Sequence, residues 1–343
     1  MKNSAFEIWN GCYDDSWKGH ITDASFAHPA KASRALLLRI FAKLAEMGLE
    51  RGQTVLDCFG GIGTTGIVGA SLGYRVVCSE LEPRFVDMAK ANFELHRRTW
   101  EAFGDPLPVM LQGDSRKLCG VLADACVSSP PFLSGIDSDV RGEKLLVEAS
   151  KAHRHKRRIK DGSAKDYGQT PGQLGSMPSG SLDAAVSSPP YEGSLDCGPN
   201  ECTRLADLKG QAVKYSTMGT VNIGNATGKT FWTAARDILL QCHQLLKPGG
   251  MTAWIVKDYC RDGKRVAFCD DWARLLEHCG FTVELRVRAM LTKETVEAGL
   301  FGTMKTKKER KSFFRRLYER KLPEGDERRI DHEEVIFAVR GIS

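Results

Sequence analysis

Ser129-Pro130-Pro131-Phe132 and Ser188-Pro189-Pro190-Tyr191 close two copies of one pattern, DACVSSPPF (124–132) and DAAVSSPPY (183–191). Each tip sets a hydroxyl, two ring-locked backbone units and an aromatic face in a row. Proline removes a ladder donor and restricts the residue before it, so each copy reads as a buried strand that stops abruptly at a rigid, kinked tip. A second constellation lies upstream in VLDCFGGIGTTG (55–66), a strand running into a tight glycine turn that opens a helix. Glycines there let the backbone approach a ligand closely, and a helix N-terminus favours polar or anionic groups. No Gly-Lys-Ser/Thr follows, which excludes a phosphate-binding loop of that type. Glu80 ends the next strand in CSELEP, where an acid accepts hydrogen bonds from ribose hydroxyls or caps a helix. Asp114 ends a third in QGD, in reach of an adenine amine or serving as an N-cap. Three such tips at the carboxyl ends of successive parallel strands are more specific than any one.

The elements that must position these groups alternate along the chain. RALLLRIFAKLAE (34–46) has apolar residues at helical spacing. QTVLDCF, YRVVCSE and PVMLQGD read as strands, separated by helices at IVGASLG and PRFVDMAKANFELHRR. Beyond the second Ser-Pro-Pro come a helix (TFWTAARDILLQCHQLL), a KPGG turn, a strand (MTAWIVKD) and a helix (DDWARLLEHCG). Strands at FTVELRVRAML and EEVIFAVR close the chain, with a basic, helix-like stretch between them. Alternating strands and helices predict an α/β fold, a doubly wound and mostly parallel sheet covered on both faces. The repeat extends past the tips, since YGQTPGQLGSMPSG follows the first and YSTMGTVNIGNATG the second. A doubly wound sheet has one slot for this strand, expected beside the strand of Asp114, so one copy is an insertion. The stretch 133–182, rich in Gly, Ser, Lys and Arg, reads as partly disordered.

The composition sets outer bounds. A hydrophobic fraction of 42% and a charged fraction of 27% are those of a soluble globular chain with a sizeable core. No apolar run approaches the roughly 18 residues of a membrane span, and the start shows no secretory signal. Eleven cysteines without a Cys-x-x-Cys pair read as free thiols in a reducing cytoplasm, with no metal site. The net charge of +6 is uneven, concentrated in KAHRHKRRIK (151–160) and KTKKERKSFFRRLYERK (305–321), and two basic runs suit a polyanion as well as a solvated face.

With these motifs the chain resembles the DNA amino-methyltransferases that modify N4 of cytosine or N6 of adenine, and is similar to phage and prophage modification methylases, the setting of restriction-modification. DCFGGIGTTG resembles the family's cofactor loop, with Cys58 in place of its usual proline; SELEP resembles its ribose-binding acid, QGDS its adenine-contacting Asp, and SSPPF and SSPPY its catalytic tip. HPAK (28–31) resembles the segment that closes over the methionine end of S-adenosylmethionine, and DHEEVIFAVR the last strand. The resemblance implies a Rossmann-like, S-adenosylmethionine-dependent methyltransferase fold with an antiparallel final strand. It implies cofactor contacts from Asp57, Phe59, Gly60, Gly61, Gly63, Thr64, Thr65, Glu80, Asp114, His28 and Lys31. The partner it implies is double-stranded DNA, and the second basic run offers Lys307, Lys308, Arg315 and Arg316 as candidate phosphate contacts. One domain, 1–343, is expected, with a cofactor-binding half (21–132), a repeat or insertion that is a candidate target-recognition region (133–228), and a C-terminal half of the sheet (229–343).

The implied chemistry accounts for the tip. An exocyclic amine is a poor nucleophile because its lone pair is delocalised into the ring. A Ser hydroxyl and a proline carbonyl accepting its hydrogens would aim that lone pair at the methyl donor, and rigidity fixes the geometry. The aromatic ring would stack on a base flipped out of the helix. The first copy follows GDSRKL at the family's short interval, whereas the second has the preferred Tyr and the usual distance to LKPGG; the tyrosine's polar handle favours Ser188–Tyr191. Serine tilts the target toward cytosine N4. Rival readings are methylation of RNA or a protein amide by a related fold, and a non-catalytic cofactor- or DNA-binding module.

Overall fold

The computed structural model describes residues 6–28, 31–118, 180–190, 223, 226–298, 304–310, 322–323 and 325–342. Strand β1 (Glu7–Trp9) precedes helix α1 (Arg34–Glu46), which buries Leu36, Leu37, Ile40, Phe41 and Leu44 along the stripe that its spacing predicts. β2 (Thr54–Asp57), α2 (Thr64–Ser71), β3 (Arg75–Glu80), α3 (Pro83–Phe103) and β4 (Val109–Gln112) follow. Pro83 sits where a helix needs no N–H donor, and Gly104 ends α3 in the left-handed region. β5 (Leu182–Ser187) is the second Ser-Pro-Pro strand, and α4 (Gly228–Leu245) leads into β6 (Leu246–Val256). A hairpin, β7 (Tyr259–Arg261) and β8 (Lys264–Val266), precedes α5 (Phe268–His278) and β9 (Phe281–Met290). A second hairpin pairs β10 (Thr292–Ala298) with β11 (Met304–Arg310), and β12 (His332–Arg340) closes the chain.

Eight strands form one sheet in the order β1-β9-β12-β6-β5-β2-β3-β4. All neighbours are parallel except β12, which runs antiparallel to both β6 and β9. Successive residues on a strand point to opposite faces, and two cores result. Val55, Val76, Val186, Ala253, Ile255 and Val335 pack with α1, α2 and α3 on one face. Leu56, Val77, Ala185, Trp254, Val256 and Ile336 pack with α4 and α5 on the other. The doubly wound α/β sheet with its antiparallel last strand is therefore as the sequence predicts.

Three expectations are corrected. The Ser-Pro-Pro strand does not lie beside the strand of Asp114: β5 sits between β2 and β6, and β4 is the far edge. Local pattern specifies a strand but not its slot, which the crossover between elements decides. The basic stretch is not helix-like from its start, because Lys305–Arg310 belong to β11; residues 311–321 lie outside the described set. KPGG is no free turn but the bulged start of β6, with Gly249 at a φ of 77° and a register shift opposite Leu182–Ala184.

Asp183, the first residue of the second copy, holds β5 in register at the end away from the tip. It is buried, and its carboxylate accepts from Thr54 N–H at 2.8 Å and Lys247 Nζ at 2.6 Å. The copy's Asp is thus explained by strand placement rather than by chemistry.

Candidate active site

The carboxyl ends of the parallel strands share one rim of the sheet, and the residues singled out in the sequence gather there. Asp57 ends β2, buried, and accepts from Phe59 N–H at 3.0 Å, from the Ser187 hydroxyl at 2.7 Å and from the Thr65 hydroxyl. Burial pushes its pKa up, and these donors oppose the shift by stabilising the charged form. Gly60 N–H donates to Ser79 O at 2.8 Å, which ties the loop to β3. Gly63 caps α2 at a φ of 80°, and a Cβ there would stand 2.5 Å from the Phe93 ring, so both backbone and packing demand glycine. Thr64 and Thr65 open α2, both buried.

Glu80 ends β3 and accepts from Gly61 N–H at 2.8 Å and Glu82 N–H at 2.9 Å, one on each oxygen. Burial raises its pKa against the pull of those two donors. Each carboxylate oxygen has two lone pairs, so a vicinal pair of hydroxyls can share the group with the backbone. Asp114 follows β4 and caps a 3-10 turn (Ser115–Lys117), accepting from Arg116 N–H at 3.0 Å. Its two oxygens also take the Arg116 guanidinium, with Nε at 3.0 Å from each. Arg116 in turn borders an open cleft of about 360 Å³ with Lys229, Thr230, Thr233 and Asp237.

His28 lies against the loop. Its ring meets Phe85 edge-on at 4.3 Å, and a Cβ on Gly61 (φ 50°) would come within 3.4 Å of its Nε2. Lys31 instead turns back on its own segment, donating to the carbonyls of Phe26 and His28. Asn92, fully buried on α3, fixes this segment to the loop. Its Nδ2 donates to Ile62 O at 2.9 Å, and its Oδ1 accepts from Thr22 N–H at 2.8 Å and the Ser25 hydroxyl at 3.0 Å.

Ser188 stands exposed beyond β5, its hydroxyl donating to Ile255 O at 3.3 Å; Pro189 is buried and Pro190 half-buried. Ser187, which no sequence motif singles out for chemistry, joins this tip to the cofactor loop. Its hydroxyl donates to Asp57 and accepts from Phe59 N–H at 3.1 Å. Asn92 was legible as a polar break in an otherwise apolar helical stripe; Ser187 carried no such signal. Tyr191, the whole first copy (Ser129, Pro130, Pro131 and Phe132), Arg315 and Arg316 lie outside the described residues. Lys307 and Lys308 lie on β11, opposite Thr295 and Glu294 in register, and only their backbone is described.

The sheet, with helices on both faces and its loop-bearing rim, is a Rossmann-like α/β fold. Residues 2–91 match the family model described as DNA methylase, N6_N4_Mtase, which supports the resemblance of the motifs in this segment to the DNA amino-methyltransferases. The match ends within α3, ahead of both Ser-Pro-Pro copies. No curated protein sequence matches the chain. Among solved structures it is similar to TrmN from Thermus thermophilus (TM-score 0.39, 13% identity, 92% of this chain and 52% of that one), of which it spans about half the length. It is also similar to a SAM-dependent methyltransferase from Methanosarcina mazei (0.37, 10%, 88% and 98%). A third is precorrin 8W decarboxylase from Methanobacterium thermoautotrophicum (0.39, 11%, 93% and 96%). Among the described residues no helix is long and apolar enough to cross a membrane, and no group of His, Cys, Asp or Glu is arranged to hold a metal ion.

Proposed function

We propose that the chain methylates an exocyclic amine of a base in double-stranded DNA, with N4 of cytosine favoured over N6 of adenine. The observation that carries this reading is the placement of Ser188-Pro189-Pro190 directly beyond the strand that adjoins the Asp57–Thr65 loop. The DNA methylase match over residues 2–91 supports DNA as the substrate. S-adenosylmethionine, when bound, supplies an electrophilic methyl group.

The residues present fit that cofactor. Glu80 offers acceptors to ribose hydroxyls and Asp114 to an adenine amine, and a Cβ on Gly61 would crowd the His28 ring at 3.4 Å. Asp57 holds the loop, and His28 closes its outer side. Ser188 Oγ and the carbonyl at the Pro-Pro tip accept the two hydrogens of the target amine and turn its lone pair toward the methyl donor. Serine is too weak a base to remove the proton first, so it leaves to water after transfer. Tyr191 stacks on the base.

Modified-base sequencing of DNA from a host expressing the protein tests the reading, because it reports base, position and context together. Methylation lost with Tyr191→Ala or Pro190→Ala, with cofactor binding retained, supports the second copy. An inactive Phe132→Ala beside an active Tyr191→Ala would reverse the assignment, and no modified base at all would refute the function.

A further inference from the structure

A polar cluster apart from the cofactor loop and the Ser-Pro-Pro tip stands on the same rim. Lys257 follows β6, Glu333 opens β12, and Tyr13 comes from the N-terminal loop. Lys257 Nζ donates to Glu333 Oε1 at 3.0 Å, and the Tyr13 hydroxyl donates to Glu333 Oε2 at 2.6 Å. The antiparallel course of β12 makes this possible: it begins where its neighbour β6 ends, with Glu334 opposite Val256.

The position is specific. Ala253 and Ile255 face the core of α1–α3, as do Val335 and Phe337, and Tyr13 packs against that core. Strand alternation therefore sets Lys257 and Glu333 on the face that carries the cofactor loop. Along the rim the order is Glu80 on β3, Asp57 on β2, Ser188 after β5, Lys257 after β6 and Glu333 on β12. Ser188 donates to Ile255 O, two residues before Lys257. If the methyl donor lies over β2 and β3 and the amine is held at Ser188, the ring bearing that amine extends the other way, over β6 and β12. Lys257 and Glu333 each keep 19% side-chain exposure, so a ligand can reach them.

An ammonium only donates hydrogen bonds. In cytosine and adenine alike, the ring nitrogen beside the exocyclic amine is a bare acceptor. In thymine and guanine the nitrogen at the corresponding position carries a hydrogen, which an ammonium cannot accept. We propose that Lys257, oriented by Glu333 and Tyr13, donates to the ring nitrogen beside the target amine and so selects amino bases over keto bases. This inference rests on the proposed function and assigns a specificity-determining residue to it.

Its test uses single-turnover methylation of duplexes carrying 3-deazacytosine or 1-deazaadenine at the position found to be modified. Wild-type enzyme is expected to lose about 10- to 100-fold in kcat/KM on the analogue, the range for a hydrogen bond to a charged group. Lys257→Met is expected to lose as much on the natural base, to differ less than about 2-fold between natural base and analogue, and to keep its cofactor affinity. Should that change leave Glu333 uncompensated and the chain unfolded, the Lys257→Met/Glu333→Gln pair is read by the same criteria. A variant that discriminates as wild type does overturns the inference, as does a wild type indifferent to the analogue. Those results leave DNA methylation standing, whereas a wild type that methylates no DNA overturns both.

Discussion

Ser187→Ala removes the bridge between the Ser-Pro-Pro tip and the cofactor loop. The Phe59 N–H keeps a partner in Asp57 Oδ1 at 3.0 Å, so its loss is small. The Asp57 carboxylate, buried, loses its donor at 2.7 Å and retains Thr65 and Phe59. One charge-assisted, buried hydrogen bond puts the cost at about 1.5–3 kcal/mol. The loss depends on pH with a definite sign. Burial already holds the folded-state pKa of Asp57 above its unfolded value, and removing a donor to the charged form raises it further. The penalty is therefore full where Asp57 is ionised and shrinks as pH falls through its folded-state pKa. Urea unfolding of wild type, Ser187→Ala, Asp57→Asn and the double variant at neutral and acidic pH isolates the pair. A coupling below about 0.5 kcal/mol at neutral pH, or a penalty that grows on acidification, would refute the bridge.

Two further outcomes concern cofactor and DNA binding. Glu80→Ala should weaken S-adenosylmethionine binding by about 1–3 kcal/mol in calorimetry, and unchanged affinity would remove Glu80 from the site. If Lys307, Lys308, Arg315 and Arg316 contact phosphates, each replacement should lower the log–log salt slope of DNA binding by about one. A slope indifferent to all four would assign that stretch to solvent.

The strands and helices were legible because their apolar residues recur at strand or helix period, and Asp57, Glu80 and Asp114 because each ends a predicted strand. What escaped depends on partners distant in sequence. β1 has three residues and exists only through its pairing with β9. The order of strands is set by crossovers that no local pattern encodes. The hairpin at YCRDGKRV did carry a local signal: Asp262 and Gly263 have φ of 52° and 73°, as a two-residue turn of this kind requires.

The duplicated pattern is best understood through what its slot consumes. Asp183 takes the Thr54 N–H at the start of β2, and Ser187 takes Asp57 at its end. Both anchors belong to the repeated Asp-Ala-x-Val-Ser-Ser, and the first copy carries the same residues as Asp124 and Ser128. β2, however, has one Thr54 N–H and one Asp57, and its other edge is taken by β3. β5 fills this slot with the second copy, and a single slot cannot present two Ser-Pro-Pro tips at once. The pattern itself, identical at both anchors, gives neither copy an advantage, and Lys247 against Asp183 and the Ile255 carbonyl against Ser188 also meet residues that both copies share, so only residues outside the shared pattern can set the balance.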